Sequence, residues 1–240
     1  SGVLARAEPG GRRGERVLAA NVDQVLVVFS VANPDPHLRM IDRFLVICEA
    51  NDLHAHLVIN KIELTPDGAA VEALAAPYER AGYQVHRTSA KRGDGLEELR
   101  AELHGRVTVV TGPSGVGKSS LLNALHPALD LRTQEISASV NKGRHTTVGS
   151  KLIPLPDGDD GYLVDTPGLR EVGMWGLPSQ SLDQCFPEFR PYLGECRFQD
   201  CMHDSEPDCA VRSALAEGLV DRGRYESYLK LRGELTSAEE

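Results

Sequence analysis

Residues 112–119 read G-P-S-G-V-G-K-S. An apolar run, V-T-V-V at 107–110, precedes them, and leucines at helical spacing follow at Leu121, Leu122 and Leu125. The pattern G-x-x-x-x-G-K-[ST], set between a strand and a helix, is a phosphate-binding loop. Its glycines permit a tight turn with backbone N–H groups aimed inward. The helix N-terminus adds partial positive charge. Lys118 is expected at the β- and γ-phosphates and the Ser119 hydroxyl on Mg²⁺. Gly112, Ser114, Gly115, Val116, Gly117 and Ser120 complete the expected cradle. The alternative is a glycine turn with a purely structural role.

Upstream of the loop, strand-like and helix-like segments alternate. V-L-V-V-F-S-V (25–31), H-L-V-I-N (56–60), Q-V-H-R-T-S (84–89) and the run at 107–110 read as strands. Leu38, Ile41, Leu45 and Cys48 recur at helical spacing, as do Leu96, Leu99 and Leu103. A helix is also predicted over 69–81, with Pro77 as its break. Such alternation predicts an α/β parallel sheet covered on both faces. Residues 148–165 read as two strands around P-D-G-D-D-G, and 1–16, rich in Gly and Arg, as a loop. Beyond about 175 the chain reads as helical and polar.

Other loops at strand ends fit the same chemistry. D-T-P-G (165–168) follows Y-L-V. There Asp165 can hold Mg²⁺ through water, and Gly168 can sense the γ-phosphate. G-R-H-T-T (143–147) offers Thr147, ahead of Thr146, as a second hydroxyl for Mg²⁺. N-K-I-E (60–63) resembles the guanine-reading N-K-x-D of GTPases, with Asn60, Lys61 and Glu63 in the reading positions and Glu where Asp is usual. A carboxylate there accepts from the guanine N1–H and 2-amino group. In S-A-K (89–91), Ser89 and Ala90 back the base, with the Ala90 N–H expected at the guanine O6. In ordinary GTPases the base-reading motifs follow the phosphate-reading ones. Here they precede them, so the motif order is circularly permuted. A permuted chain still presents these loops together, because ligands of open parallel sheets bind at the C-terminal ends of strands. Leu169 occupies the place where many GTPases have a glutamine that orients the attacking water. The water must then be placed by backbone, by a partner or by another side chain, for which His145 is the candidate.

Five cysteines are present, and three of them fall within C-R-F-Q-D-C-M-H-D-S-E-P-D-C (196–209). Cys196, Cys201, His203 and Cys209 form a Cys₃His set of the kind that holds structural zinc. A disulfide reading leaves one thiol over, and the cysteine usage fits a reducing compartment. The net charge of −9 is unlike that of a strongly basic nucleic-acid binder. Two local excesses of arginine and lysine stand out: Arg6, Arg12, Arg13 and Arg16, then Arg222, Arg224, Lys230 and Arg232. Each reads either as solvated surface or as a local contact for RNA. No run of eighteen apolar residues is present, so no membrane partner is expected.

These residues together resemble the bacterial ribosome small-subunit-dependent GTPase family, RsgA or YjeQ. The likeness is carried by A-N-V-D-Q (20–24), E-A-N-D (49–52), N-K-I-E, the loop at 112–120, G-R-H-T-T, D-T-P-G, F-P-E-F (186–189) and C-x₄-C-x-H-x₅-C. It implies an N-terminal OB-fold, a permuted GTPase domain and a zinc-bearing C-terminal domain. On this chain the three parts fall as a remnant or linker at 1–18, a P-loop domain at 19–177 and a small α-helical zinc-binding domain at 178–240. The resemblance also implies a cytoplasmic, monomeric enzyme. It would hydrolyse GTP to GDP with Mg²⁺ late in small-subunit maturation, with the small subunit and its rRNA as partners. The rival readings are a non-catalytic guanine-nucleotide switch that binds RNA, and an ATP-using P-loop enzyme.

Overall fold

The segment from Gln24 to Ser30 is buried at every one of its seven positions. A strand with no exposed face must lie inside a sheet that is covered on both sides. In the computed structural model, which describes residues 2–7, 15–129, 151–155, 160–165 and 177–239, that is where it lies. The strands are β1 (Gly2–Ala7), β2 (Glu15–Val22), β3 (Gln24–Ser30), β4 (His54–Asn60), β5 (Gln84–Arg87), β6 (Val107–Thr111), β7 (Lys151–Pro154) and β8 (Tyr162–Asp165). The main sheet has the order β5-β4-β3-β6-β8-β7. All its pairs are parallel except β7–β8. β1 and β2 form a separate antiparallel pair. Residues 2–7 and 15–16, predicted as loop, are therefore strand. Backbone pairing there overrides a composition rich in Gly and Arg.

Side-chain alternation sorts the sheet into two cores. On one face Val25, Val27, Phe29, Leu57 and Ile59 pack under α1 (Leu38–Ala50) and α2 (Ala69–Arg80). On the other, Leu26, Val28, Val58 and Leu163 meet α3 (Leu96–Leu103) and α4 (Lys118–Leu125). Each fully buried aliphatic side chain of this kind contributes roughly 1.5–3 kcal/mol relative to exposure. Leu38, counted in the apolar stripe of α1, opens that helix and is half exposed. Pro77 does not break α2, which runs on to Arg80. The ring removes one donor in the last two turns, while the Pro77 carbonyl still accepts from Ala81 N. Val71, Leu74, Ala75 and Tyr78 keep the helix on the sheet.

The chain steps from β3 to β4 to β5 in one direction. It then returns through α3 to place β6 on the opposite side of β3. The reversal between β3 and β6 is the crevice where open α/β sheets take their ligands. Register sharpens it. Val27 pairs with Thr111, so β6 ends three residues before β3 does. The loop that follows β6 lies back against the end of β3.

After Leu177 no strand occurs among the described residues. Short 3₁₀ turns, among them Pro187–Tyr192, lead to α5 (Ala210–Ala216) and α6 (Arg222–Glu239). This part is less polar inside than its sequence implies. Phe186, Phe189, Tyr225 and Tyr228 cluster and share a continuous core with α1 and the sheet. Arg224, read from sequence as part of a basic surface, is buried among them. Its Nη1 donates to Asp42 of α1 at 2.7 Å, and Nε and Nη2 donate to Glu188 at 2.7 and 3.0 Å. The guanidinium also lies 4.7 Å from the Phe186 ring centroid. Arg232 is likewise engaged, with the Met202 carbonyl and the Asp204 carboxylate.

A network of one cation and two carboxylates, all at most 5% exposed, tolerates its partners only as a set. Arg224→Ala strands two buried carboxylates and is expected to lower stability by about 3–5 kcal/mol. Denaturant unfolding with an unchanged m-value measures this. A loss below about 1 kcal/mol is what a solvent-screened pair would give, and would show the network to be peripheral.

Candidate functional site

Four strand ends converge on the crevice. Thr111 leads into the loop at 112–117, where Gly112, Gly115 and Gly117 take φ of 135°, 82° and 92°. Two of these glycines are also forced by contact. A Cβ on Gly112 would stand 2.0 Å from the Val28 carbonyl oxygen, and one on Gly117 2.6 Å from Asn60 Nδ2. Val116 is buried, while Ser114, Gly115 and Ser120 are exposed. Lys118 opens α4, and its ammonium reaches back to the carbonyls of Gly112 at 2.9 Å and Pro113 at 2.6 Å. Ser119 beside it is 6% exposed. The outcome is a backbone cradle with one cation folded into it at a helix N-terminus, which is the chemistry of a polyphosphate site.

Asn60 joins this cradle to the turn that follows β4. It ends β4 and is buried. Its Nδ2 donates to the Val116 carbonyl at 2.9 Å, and its Oδ1 accepts from Thr88 Oγ1 at 3.2 Å and Ala90 N at 3.3 Å. One amide thus spans the ends of β4 and β5 and the phosphate loop. The Ala90 N–H, expected at the guanine O6, is directed at Asn60 instead. Lys61 follows in the left-handed region, at φ 63°, and donates to the Gly115 carbonyl at 2.6 Å. Glu63 sits in the 3₁₀ turn Ile62–Leu64. Its Oε2 is buried and has no hydrogen-bond partner among the described residues. A buried carboxylate oxygen without a donor is costly, and a ligand bearing paired N–H groups would satisfy it. Ser89 accepts from Arg92 N at 3.0 Å and so holds its loop closed.

β8 is parallel to β6, so its last residue, Asp165, ends at the same edge as the phosphate loop. Its side chain lies outside the described set. His145, Thr146, Thr147, Gly168 and Leu169 lie outside the described residues altogether. So do the side chains of Arg6, Arg12, Arg13 and Arg16. Thr88 was not singled out from sequence, although it stands directly before S-A-K and supplies one of the donors to Asn60.

A second site lies in the C-terminal part. Cys196, Cys201, His203 and Cys209 bring their ligand atoms within 4.8 Å of one another. Cys196 Sγ is 3.5 Å from His203 Nδ1 and 3.9 Å from Cys209 Sγ, and His203 Nδ1 is 3.4 Å from Cys209 Sγ. Zinc bonds of about 2.3 Å to sulfur and 2.0–2.1 Å to nitrogen give tetrahedral edges of about 3.8 and 3.6 Å. The observed edges fit, and a sulfur separation of 3.9 Å rules out a disulfide between Cys196 and Cys209. Burial pushes the Cys201 thiol up to about 12 and raises that of Cys209 as well. A divalent cation among them is what would ionise these sulfurs. Asp183 Oδ2 stands 3.4 Å from His203 Nε2 and orients the ring from behind. Burial disfavours the charged imidazole, but Asp183 and Cys196 together outweigh it and raise the His203 pKa. Twenty residues of sequence separate this carboxylate from the ring, so no local spacing marks it. The loop is also fastened to α6. Tyr225 OH donates to the His203 carbonyl at 2.6 Å, and Tyr228 OH donates to that of Met202 at 2.9 Å.

Metal analysis of the purified chain is expected to find one zinc per chain, and less than a tenth of that in Cys209→Ser. Since Tyr225 and Tyr228 anchor the same loop, the loss should also expose α6 to faster amide exchange. An unchanged zinc content in Cys209→Ser contradicts the four-ligand site.

Comparison with known proteins gives the family. Residues 2–175 match the family model described as RsgA GTPase. A protein of Gemmatimonas aurantiaca named small ribosomal subunit biogenesis GTPase RsgA is 61% identical over 233 residues, covering 97% of this chain and 75% of its own. One of the same name from Shewanella oneidensis is 43% identical and covers 91% of this chain and 61% of its own. Among solved structures, YjeQ from Thermotoga maritima superposes with a TM-score of 0.78 at 36% identity, over 98% of this chain and 76% of that one. YloQ, described as a circularly permuted GTPase, gives 0.74 at 31% identity, over 98% and 79%. A family model matched over most of the chain and a relative 61% identical across 97% of it settle the family: the chain belongs to the RsgA GTPase family.

Proposed function

We propose that this chain hydrolyses GTP to GDP and phosphate and acts in the biogenesis of the small ribosomal subunit, the role given in the names of its relatives. The observation that carries the nucleotide reading is the convergence of Asn60, Lys61 and the phosphate loop. Glu63 supports guanine as the base. Its unpartnered Oε2 suits the N1–H and 2-amino donors of guanine, which adenine does not present in that pattern.

In this reading Lys118 places its charge at the β- and γ-phosphates. Ser119 and Thr147 hold Mg²⁺, with Asp165 acting through water. When bound, Mg²⁺ supplies charge neutralisation between those phosphates. Gly168 senses the γ-phosphate, and His145 orients the attacking water that Leu169 cannot. Ser89 and Ala90 shape the wall behind the base. Zinc on Cys196, Cys201, His203 and Cys209 has a structural role, because four protein ligands leave no open position. The division into 1–18, 19–177 and 178–240 belongs to this reading. So do rRNA as the contact on the small subunit, a monomeric state and a cytoplasmic location. No helix among the described residues is long and apolar enough to cross a membrane.

Multiple-turnover phosphate release, with and without small subunits, tests the proposal. Lys118→Ala is expected to lose about a hundredfold or more in rate, as removal of a transition-state charge contact does. Near-normal turnover in that variant removes Lys118 from the chemistry, and no turnover in the unmutated chain favours the non-catalytic switch. Separately, Glu63→Ala should weaken GDP binding by about tenfold or more with the fold retained. Equal affinity of the unmutated chain for GTP and ATP in calorimetry contradicts the guanine assignment.

A further inference from the structure

Residues 31–37, which connect β3 to α1, belong to none of the motifs above, yet they lie against the phosphate loop. Ser30, the last residue of β3, is fully buried and donates its hydroxyl to the Pro34 carbonyl at 2.7 Å. Val31 N donates to the Asn60 carbonyl at 3.0 Å, which anchors the start of the segment to β4. Asn33 adopts φ 49°, and its carbonyl accepts from the Lys61 ammonium. That ammonium also donates to the Gly115 carbonyl, 2.6 Å away. Pro34 Cδ would lie 3.6 Å from a Cβ built on Gly115, so the segment backs the loop at the same point.

Lys61 therefore bridges two backbone carbonyls from different segments. A cation shared between two acceptors fixes the gap between them, and charge-assisted bonds are the stiffer kind. Asn33 and Pro34 are exposed, so neither serves the core. What their placement determines is where Lys61 and Gly115 stand.

We propose that Ser30 and Asn33 are positioning residues for the bound nucleotide. Ser30 holds the 31–37 segment in place, and the Asn33 carbonyl then keeps Lys61 against Gly115, setting the spacing between the base-reading turn and the phosphate loop. The proposal rests on the nucleotide-site reading above. A nucleoside diphosphate spans that spacing, so loosening the segment weakens contacts at the base and the phosphates together. Among the described residues, none of the segment's hydrogen bonds reaches β8, which lies toward the γ-phosphate side. Affinity should therefore fall while the chemical step is kept.

Calorimetry with GDP and steady-state GTP hydrolysis on the full chain test this. Ser30→Ala should bind GDP about 3- to 10-fold more weakly, the effect of losing one buried hydrogen bond. Its KM for GTP should rise by the same factor while kcat stays within about twofold, a split that a general loss of folding would not produce. Should the buried site not tolerate the change, the exposed Asn33 gives a second pair. Asn33→Val cannot hold the left-handed backbone and should weaken GDP binding similarly. Asn33→Gly keeps both the conformation and the carbonyl, and should bind within about twofold of the unmutated chain. GDP affinities of Ser30→Ala and Asn33→Val both within about twofold of the unmutated chain overturn the proposal, as does Asn33→Gly binding as weakly as Asn33→Val. If the unmutated chain fails to bind GDP, the nucleotide-site reading falls and takes this one with it.

Discussion

The side-chain amide of Asn60 is where the two halves of the nucleotide site become one. It carries a donating nitrogen and an accepting oxygen, and here both are used across the crevice. The donor half is spent on the phosphate loop, 56 residues further along the chain. The acceptor half gathers the ends of β4 and β5. No other residue type does this with the same reach, because an acid would lose the donor and an aliphatic both. Gly117 follows from it, since the amide occupies the space a Cβ would need. Permutation changes the chain order of these pieces but not their meeting place, because every loop involved leaves the same edge of one parallel sheet. The site depends on which strands are neighbours and not on how their far ends are joined.

The second organising element is the buried Arg224. Its three contacts tie α6 to α1 and to the 3₁₀ turn that carries Glu188. Aromatic rings around it add contacts to the face of the guanidinium. The C-terminal part therefore packs on the same helix that begins where the 31–37 segment ends. Mechanical continuity runs from the cysteine cluster through Tyr225 and Tyr228 to α6, and from α6 through Asp42 to α1.

Much of this was legible in the sequence, for physical reasons that differ between elements. The buried strands β3 and β4 announce themselves because a fully enclosed strand has no polar face to dilute its apolar run. The phosphate loop is legible because its glycines and lysine answer a fixed geometric demand. The cysteine cluster is legible because its ligands are local. What escaped were contacts made over distance or against composition. Asp183 meets His203 across twenty residues, with no local spacing to link the two. Arg224 sits among charged residues on a polar helix, and nothing in α6 marks which of them turns inward. β1 and the start of β2 are strands by pairing and not by propensity. Pro77 reads as a stop, but near a helix end the loss of one hydrogen bond is outweighed by the apolar stripe that binds α2 to the sheet.

The short register of β6 has a genetic consequence. Because β6 ends opposite Val27, the next residue turns into the flank of β3, and at Gly112 only 2.0 Å separates the place of a Cβ from the Val28 carbonyl oxygen. That oxygen belongs to the backbone of the most enclosed strand and has nowhere to move. Every missense change reachable from a glycine codon by one base adds a Cβ. The codon for Gly112 thus has no tolerated missense neighbour, and drift there is confined to its third base.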